Sequence, residues 1–342
     1  MTSWKGRWRK RKRTSRGLPK WELGEGSPVL RADPRDALVS ASIGPAGELV
    51  ALWSTSEDEA ALRSVTTQPG WATFPDPTAA RPVTARVTRQ AGDIVDVTEL
   101  PGLTLAHPSV QPLPEGRVLV VGARCRWRKD GPDRNAVIYD SDGRIEAQAT
   151  LGDGIEHVFT TTSGEVWVGY FDEGVYGNYG WGDANSAPPM GSSGLVRFSP
   201  QLEPTWRFPS HVNNQWGAID DCYALNVTDE SVWTCYYTDF PIVQIRHDSV
   251  AGWRRNHISG AKALAVSGTR VGLLGGYAPQ QDRLVVGELA GQAMRVVGEY
   301  RLVLPGAAPL PPQVIAIGRG PVLHLITAER WYRLPLDVLT RQ

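Results

Sequence analysis

The chain has 342 residues, 41% of them hydrophobic and 13 of them Trp, with 36 Gly, 26 Pro, three Cys and zero net charge. This composition excludes a coiled coil or a wholly disordered chain and suits many short strands joined by turns. No apolar run approaches the roughly 20 residues of a membrane helix, the N-terminus lacks the apolar segment of a secretory signal, and an odd, small number of Cys makes no disulfide framework, so the expected address is the cytoplasm.

The zero net charge conceals an asymmetry. Nine basic residues, Lys5 to Lys20, precede the first acid, Glu22, which leaves 27 basic against 36 acidic residues in the remainder. Residues 1–19 read as a disordered basic arm and residues 20–342 as one β-propeller. In the arm, Lys5, Arg7, Arg9, Lys10, Arg11, Lys12 and Arg13 are interleaved with Trp4 and Trp8. That pattern suits a polyanion, either nucleic acid or an anionic surface. It also suits a plain solubilising tail.

The first strand cluster runs from Ala37 to Leu100, with an A–B hairpin turning at Gly47 and a C–D hairpin turning at Gly92. A long connection, Ser54 to Arg81, joins its B and C strands. The second starts near Ser109, and its B–C connection over 123–135 is strongly basic. The third, Asp153 to Phe208, is the clearest. Glu165–Tyr170 (EVWVGY) is rich in residues that fit a pleated, half-buried surface, and Leu195–Phe198 alternates as a strand does. The sequence TTTSGEVWVGY followed by GLVRF resembles the propeller repeat of two-component-regulator sensor domains, in which a Gly turn leads to a Trp-Val-Gly strand and a Gly-Leu entry to the next. The resemblance implies a propeller fold and carries no catalytic residues. In this chain Phe171–Ser193 is inserted between strands B and C, where the repeat has almost nothing.

The fourth cluster starts at Cys222, the fifth at Ala263 and the last at Gln313. The last lacks a fourth strand, which Lys20–Gly24 is expected to supply by joining the two chain ends in one blade. The B strands align on Leu49, Val118, Val166, Val232, Val271 and Val322. The expected fold is therefore all-β, a single propeller of six blades, with seven as the alternative. Cys222 and Cys235 fall on neighbouring strands and are expected to be reduced thiols.

In a propeller, strand A lines the channel, and ligands usually bind where the D–A and B–C connections open. Two sets of polar residues converge there. The A-strand starts give Ser40, Ser109, His157, Tyr223, Lys262 and Gln313, with Glu156, Asp220 and Asp221 just upstream. The B–C loops give Asp172, Glu173, Tyr176, Asn178, Trp181 and Asp183 from blade three, Tyr237 and Asp239 from blade four, and Tyr277 from blade five. A water-filled structural channel would use similar residues.

Three function classes follow. The first is a non-catalytic recognition protein or scaffold, binding a protein, peptide or small ligand at this mouth. The second is a hydrolase or lyase acting through the same carboxylates. No cofactor is required, although carboxylates with an amide suit a divalent cation such as Ca²⁺. The third is nucleic-acid attachment through the arm and the basic 124–134 loop. No zinc-type His pair, nucleophile elbow or phosphate-cradling Gly loop is present in the sequence.

Overall fold

The computed structural model describes residues 17–67, 70, 73–184, 186–209 and 215–340. Six sheets succeed one another along the chain, each with a core of antiparallel strands in sequence order from the axis outward, to which blades five and six add an N-terminal segment. Blade one comprises strand A Asp36–Ile43, B Leu49–Thr55, C Thr78–Ala91 and D Ile94–Leu105. Blade two is Pro108–Pro112, Val118–Gly122, Ala136–Tyr139 and Ile145–Ala149. Blade three is Ile155–Thr160, Val166–Tyr170, Leu195–Phe198 and Pro204–Arg207. Blade four is Asp221–Val227, Val232–Tyr237, Ile242–Arg246 and Ser249–Arg254. Blade five is Ala263–Ser267, Arg270–Leu274, Arg283–Ala290 and Ala293–Leu304. Blade six has Ile315–Arg319, Val322–Ile326 and Arg330–Pro335. The protein is a six-bladed β-propeller, and the seven-bladed alternative falls.

The B strands carry the fold. Val118–Gly122 and Val166–Tyr170 are buried at every position. A strand buried on both faces reads as a continuous apolar run instead of alternating. Both faces of each sheet therefore pack on a neighbour, and the core divides into six clusters, one at each blade boundary.

The ring closes, as expected, with an N-terminal strand in the last blade, but a different segment supplies it. Lys20–Glu22 does not complete blade six. It pairs in parallel with the outer strand of blade five, Lys20 opposite Arg301 and Glu22 opposite Val303. Ser27–Pro28 completes blade six instead, opposite Trp331 and Arg330. The reason is side-chain packing. Trp21 meets the Tyr300 ring edge-on at 5.3 Å, and Leu23 is buried between blades five and six. Those contacts hold the segment against blade five before the chain crosses. At the crossing, a Cβ on Gly26 would come within 2.8 Å of the Tyr332 ring. Gln90 then ties the segment to blade one, accepting from Leu30 N at 3.0 Å and donating to Pro28 O at 2.9 Å.

The connection between strands B and C of blade one is ordered around a helix, Ser56–Leu62. Thr55 caps its N-terminus, Glu57, Asp58 and Glu59 occupy the first turn where the helix dipole favours them, and Leu62 is fully buried. A short hairpin, Val65–Thr67 with Thr73–Pro75, follows.

Side chains also bridge the A strands near the axis. Gln111 of blade two donates to Ser42 Oγ of blade one, and its Oε1 accepts from Thr160 Oγ1 of blade three at 3.0 Å. Asn226 of blade four donates to Leu264 O and Gly320 O, both at 2.8 Å, and accepts from Gly320 N at 2.9 Å. Asn226→Ala would leave Leu264 O and Gly320 N without this partner, while Gly320 O keeps Val266 N at 2.9 Å. The expected loss is about 2–4 kcal/mol, read as a lower denaturant midpoint with the slope m unchanged. A loss below about 0.5 kcal/mol would show that the bridge is not structural.

Candidate functional site

The face where the D–A and B–C connections open holds two cavities. One, of about 300 Å³, is lined by Asp172, Tyr176, Asp220, Asp221, Tyr223, Tyr237 and Tyr277. The other, of about 230 Å³, is the channel itself, lined by Ser40, Ser42, Ser109, Glu156, His157 and Lys262 together with apolar A-strand residues.

The first cavity is an aromatic cup with an acidic rim. Phe240 forms its base, buried, with the rings of Tyr223, Tyr237 and Tyr277 edge-on at 5.2, 5.8 and 6.4 Å. Tyr223 and Tyr277 share a hydroxyl hydrogen bond of 3.0 Å. Tyr176, Tyr237 and Tyr277 are nevertheless among the most exposed large apolar side chains of the molecule, at 67%, 44% and 50%. Asp220 accepts from the Tyr176 hydroxyl and from Thr238 Oγ1. The Tyr176 phenol is pushed up to about 12, first by that hydrogen bond and then by burial.

Asp221 is different. Burial raises its pKa to about 6, the Lys262 ammonium lowers it, and the Glu156 and Asp172 charges raise it. Lys262 sits 4.8 Å over the Tyr223 ring and pairs with Glu156 at 3.3 Å. The cup itself contains no Lys, Arg or His among its lining residues. In the channel, Ser40 Oγ and His157 Nε2 are buried without a partner among the described residues. Burial holds the His157 imidazole below its ordinary pKa.

The insert of blade three serves two purposes. Its first turn, the helix Asp172–Tyr176, faces the mouth and contributes Asp172 and Tyr176. Gly174 is required there, because a Cβ would strike Asp153 O in the preceding D–A connection. The remainder is a strut against blade two. Trp181, expected as a ligand contact, is 4% exposed, donates to Cys125 O at 2.8 Å and meets Trp127 at 4.9 Å. Glu173, also expected at the mouth, pairs at 2.6 Å with Arg124, which is itself buried and bonded through two nitrogens to Asp153. Asn178 accepts from Tyr179 N, and Asp183 O accepts from Ser186 N. Asp239 and Gln313 are exposed and line neither cavity.

The basic 124–134 loop is largely neutralised internally. Arg124 is bound as described, Arg128 pairs with Asp133, and Arg134 donates to Gln148 O at 2.8 Å. Lys5, Arg7, Arg9, Lys10, Arg11, Lys12 and Arg13 lie outside the described residues. Cys125, Cys222 and Cys235 are all buried free thiols. Among the described residues, no group of three or more His, Cys, Asp or Glu is arranged to hold a metal ion, and no helix is long and apolar enough to cross a membrane. Sequence reasoning missed Phe240 and Thr238, whose roles depend on the blade-four turn that carries them beneath and beside the tyrosines.

The YxzG family model matches residues 210–275, which is 66 of the 342 residues and spans blade four with the start of blade five. That share is too small to assign the chain to the family. No curated protein matches the chain by sequence. Among solved structures, the Neurospora crassa Pan2 WD40 domain is similar at 10% identity over 91% of this chain and 95% of that one, with a TM-score of 0.46. The PQQ-bound aldose sugar dehydrogenase of Streptomyces coelicolor is similar at 14% identity over 95% and 96%, with a TM-score of 0.40. A streptogramin B lyase is similar at 9% identity over 90% and 97%, with a TM-score of 0.43. Likeness of this degree assigns no function, and the strand order alone establishes the fold.

The raised Asp221 pKa has a consequence for stability. The folded state binds its proton more tightly than the unfolded chain, so ionisation opposes folding. Relative to Asp221→Asn, the wild-type protein should lose stability as pH rises from about 4 to about 6 and change no further above 7. Because the carboxyl is part-exposed, the expected size is on the order of 1 kcal/mol. Paired denaturant curves across this range test it, and parallel curves would refute the shift.

Proposed function

We propose that the protein is a non-catalytic recognition propeller that binds a cationic side chain, Lys or Arg of a peptide or protein partner, in the tyrosine cup at the channel mouth. One observation carries this reading. Four tyrosines and three carboxylates surround one open cavity, with no positive side chain among them. A ring face attracts a cation through its quadrupole, by about 0.5–2 kcal/mol, more as water is removed. The carboxylates add charge-assisted hydrogen bonds. Tyr237 and Tyr277 are held exposed against the buried Phe240 and are preorganised, so little ordering cost falls on binding. The buried free thiols suit a reducing, cytoplasmic setting.

Fluorescence anisotropy of the full chain with labelled Lys- and Arg-containing peptides tests this reading. Asp221→Asn and Tyr277→Ala should each weaken binding about tenfold, or about 1.4 kcal/mol. Affinity should also strengthen between pH 5 and pH 7 as Asp221 ionises. Equal binding of peptides with Lys and Arg replaced by Gln would sink the proposal.

A hydrolase or lyase reading retains one supporting observation, an acid titrating near 6 beside a channel that holds an unpartnered His157 Nε2. Polyanion attachment through the arm is a separate proposal resting on its sequence. Its signature is affinity for DNA that falls steeply with salt and disappears when Lys5 to Arg13 are replaced by Gln.

A further inference from the structure

The opposite face, where the A–B turns lie, gathers arginines beside two carboxylates, Asp229 and Glu230. A cavity of about 730 Å³ opens there between the turns of blades one, four and six. A second, of about 420 Å³, adjoins it and shares Thr228, Glu230, Gly320 and Pro321 as walls. Arg319 and Arg333 line the first, and Arg246 and Arg254 line the second. None of the four arginines is in an ion pair among the described residues. Fourteen of the other arginines are.

Arg319 is the critical residue. It ends the A strand of blade six and is only 6% exposed. Its guanidinium lies 5.5 Å over the Phe159 ring, and Nη2 donates across the axis to Thr160 O. Nη1 is buried with no acceptor among the described residues. Burial lowers its pKa to about 10, which still leaves it charged at neutral pH. Glu48 and Asp229 act on it through space only, and both Asp229 oxygens accept from Thr162. A buried, charged donor without an acceptor is unfavourable until an anion supplies one. Arg254 Nε is likewise buried and unpaired.

We propose that this face binds a phosphate-bearing anion across the two adjoining cavities, with Arg319 and Arg333 in the first and Arg254 in the second. The positive groups come from different blades and do not form a single parallel fork. A tetrahedral phosphate accepts hydrogen bonds from several directions, whereas a planar carboxylate is matched best by one bidentate arginine. The carboxylates of Asp229 and Glu230 share the walls and oppose any anion, so binding depends on the arginines outweighing them. The proposal is independent of the cation cup.

Calorimetric titration of the full chain with pyrophosphate and tripolyphosphate at low salt, with citrate as the polycarboxylate comparison, tests it. Saturable binding is expected, weakened at least tenfold by Arg319→Gln and at least threefold by Arg254→Gln and by Arg333→Gln. If Arg319→Gln fails to fold, the combined Arg254→Gln, Arg333→Gln protein carries the test, because both positions lie away from the axis. Three results would overturn the assignment: no binding at millimolar pyrophosphate, binding unchanged in the combined variant (which would place the anion on the basic arm), or citrate binding more tightly than either phosphate.

Discussion

Each blade has two apolar faces, and water must be kept from both. A strand such as Val118–Gly122, buried at every residue, cannot lie at the edge of a stack. Every blade therefore needs a neighbour on each side, and a row of blades satisfies all of them only by closing. The six interblade clusters follow directly, each drawing residues from two adjacent sheets. The two-residue strand Ser27–Pro28 could not hold a ring by its own hydrogen bonds. The cluster between blades six and one, with Trp53 and Trp331 at its centre, does most of that work.

Closure creates the axis, and the axis creates two different faces. Toward one end the A strands carry Ser40, Ser109, His157 and Tyr223, and the long connections bring carboxylates and tyrosines over the mouth. Toward the other end the A strands are bound to one another by Gln111, Thr160 and Asn226, and Arg319 spans from blade six to blade three. The molecule as a whole is neutral, but its two faces differ. The cup at one mouth gathers three carboxylates, and the two adjoining cavities at the other gather four arginines beside Asp229 and Glu230. The sheets fix where those connections emerge, and hydrogen bonds such as Tyr176 to Asp220 and Tyr223 to Tyr277 hold the cup's side chains in place.

The blade-three insert shows how one segment divides between scaffold and site. Its aromatic residues look alike in the sequence. In the structure Trp181 is a buried anchor on blade two, while Tyr176, five residues earlier, stands exposed at the mouth with its hydroxyl on Asp220. The Arg124–Asp153–Glu173 cluster anchors the helical turn that carries Tyr176. A glycine-rich loop of this length would be costly to order without such an anchor.

The sequence alone pointed to the propeller and favoured six blades over seven, because strand runs and Gly turns are local signals; the six sheets settle the count. Five of the six B strands begin on the residue that the alignment picks. It also determined that Asp172, Tyr176, Asp220, Asp221, Tyr223, Tyr237 and Tyr277 lie near one mouth, since blade topology sends those connections to one face. It did not decide which polar residues stay free. Glu173 and Trp181 are drawn into packing by Arg124 and Trp127, partners distant in the chain. Nor did it decide how the ring closes, because Trp21 and Leu23 settle on blade five through contacts with Tyr300 and Leu302 nearly three hundred residues away. Arg319 carried one legible signal, as the only charged residue that ends an A strand. Its unmet donor, however, follows from burial and from what lies across the axis, and those are set by tertiary packing alone.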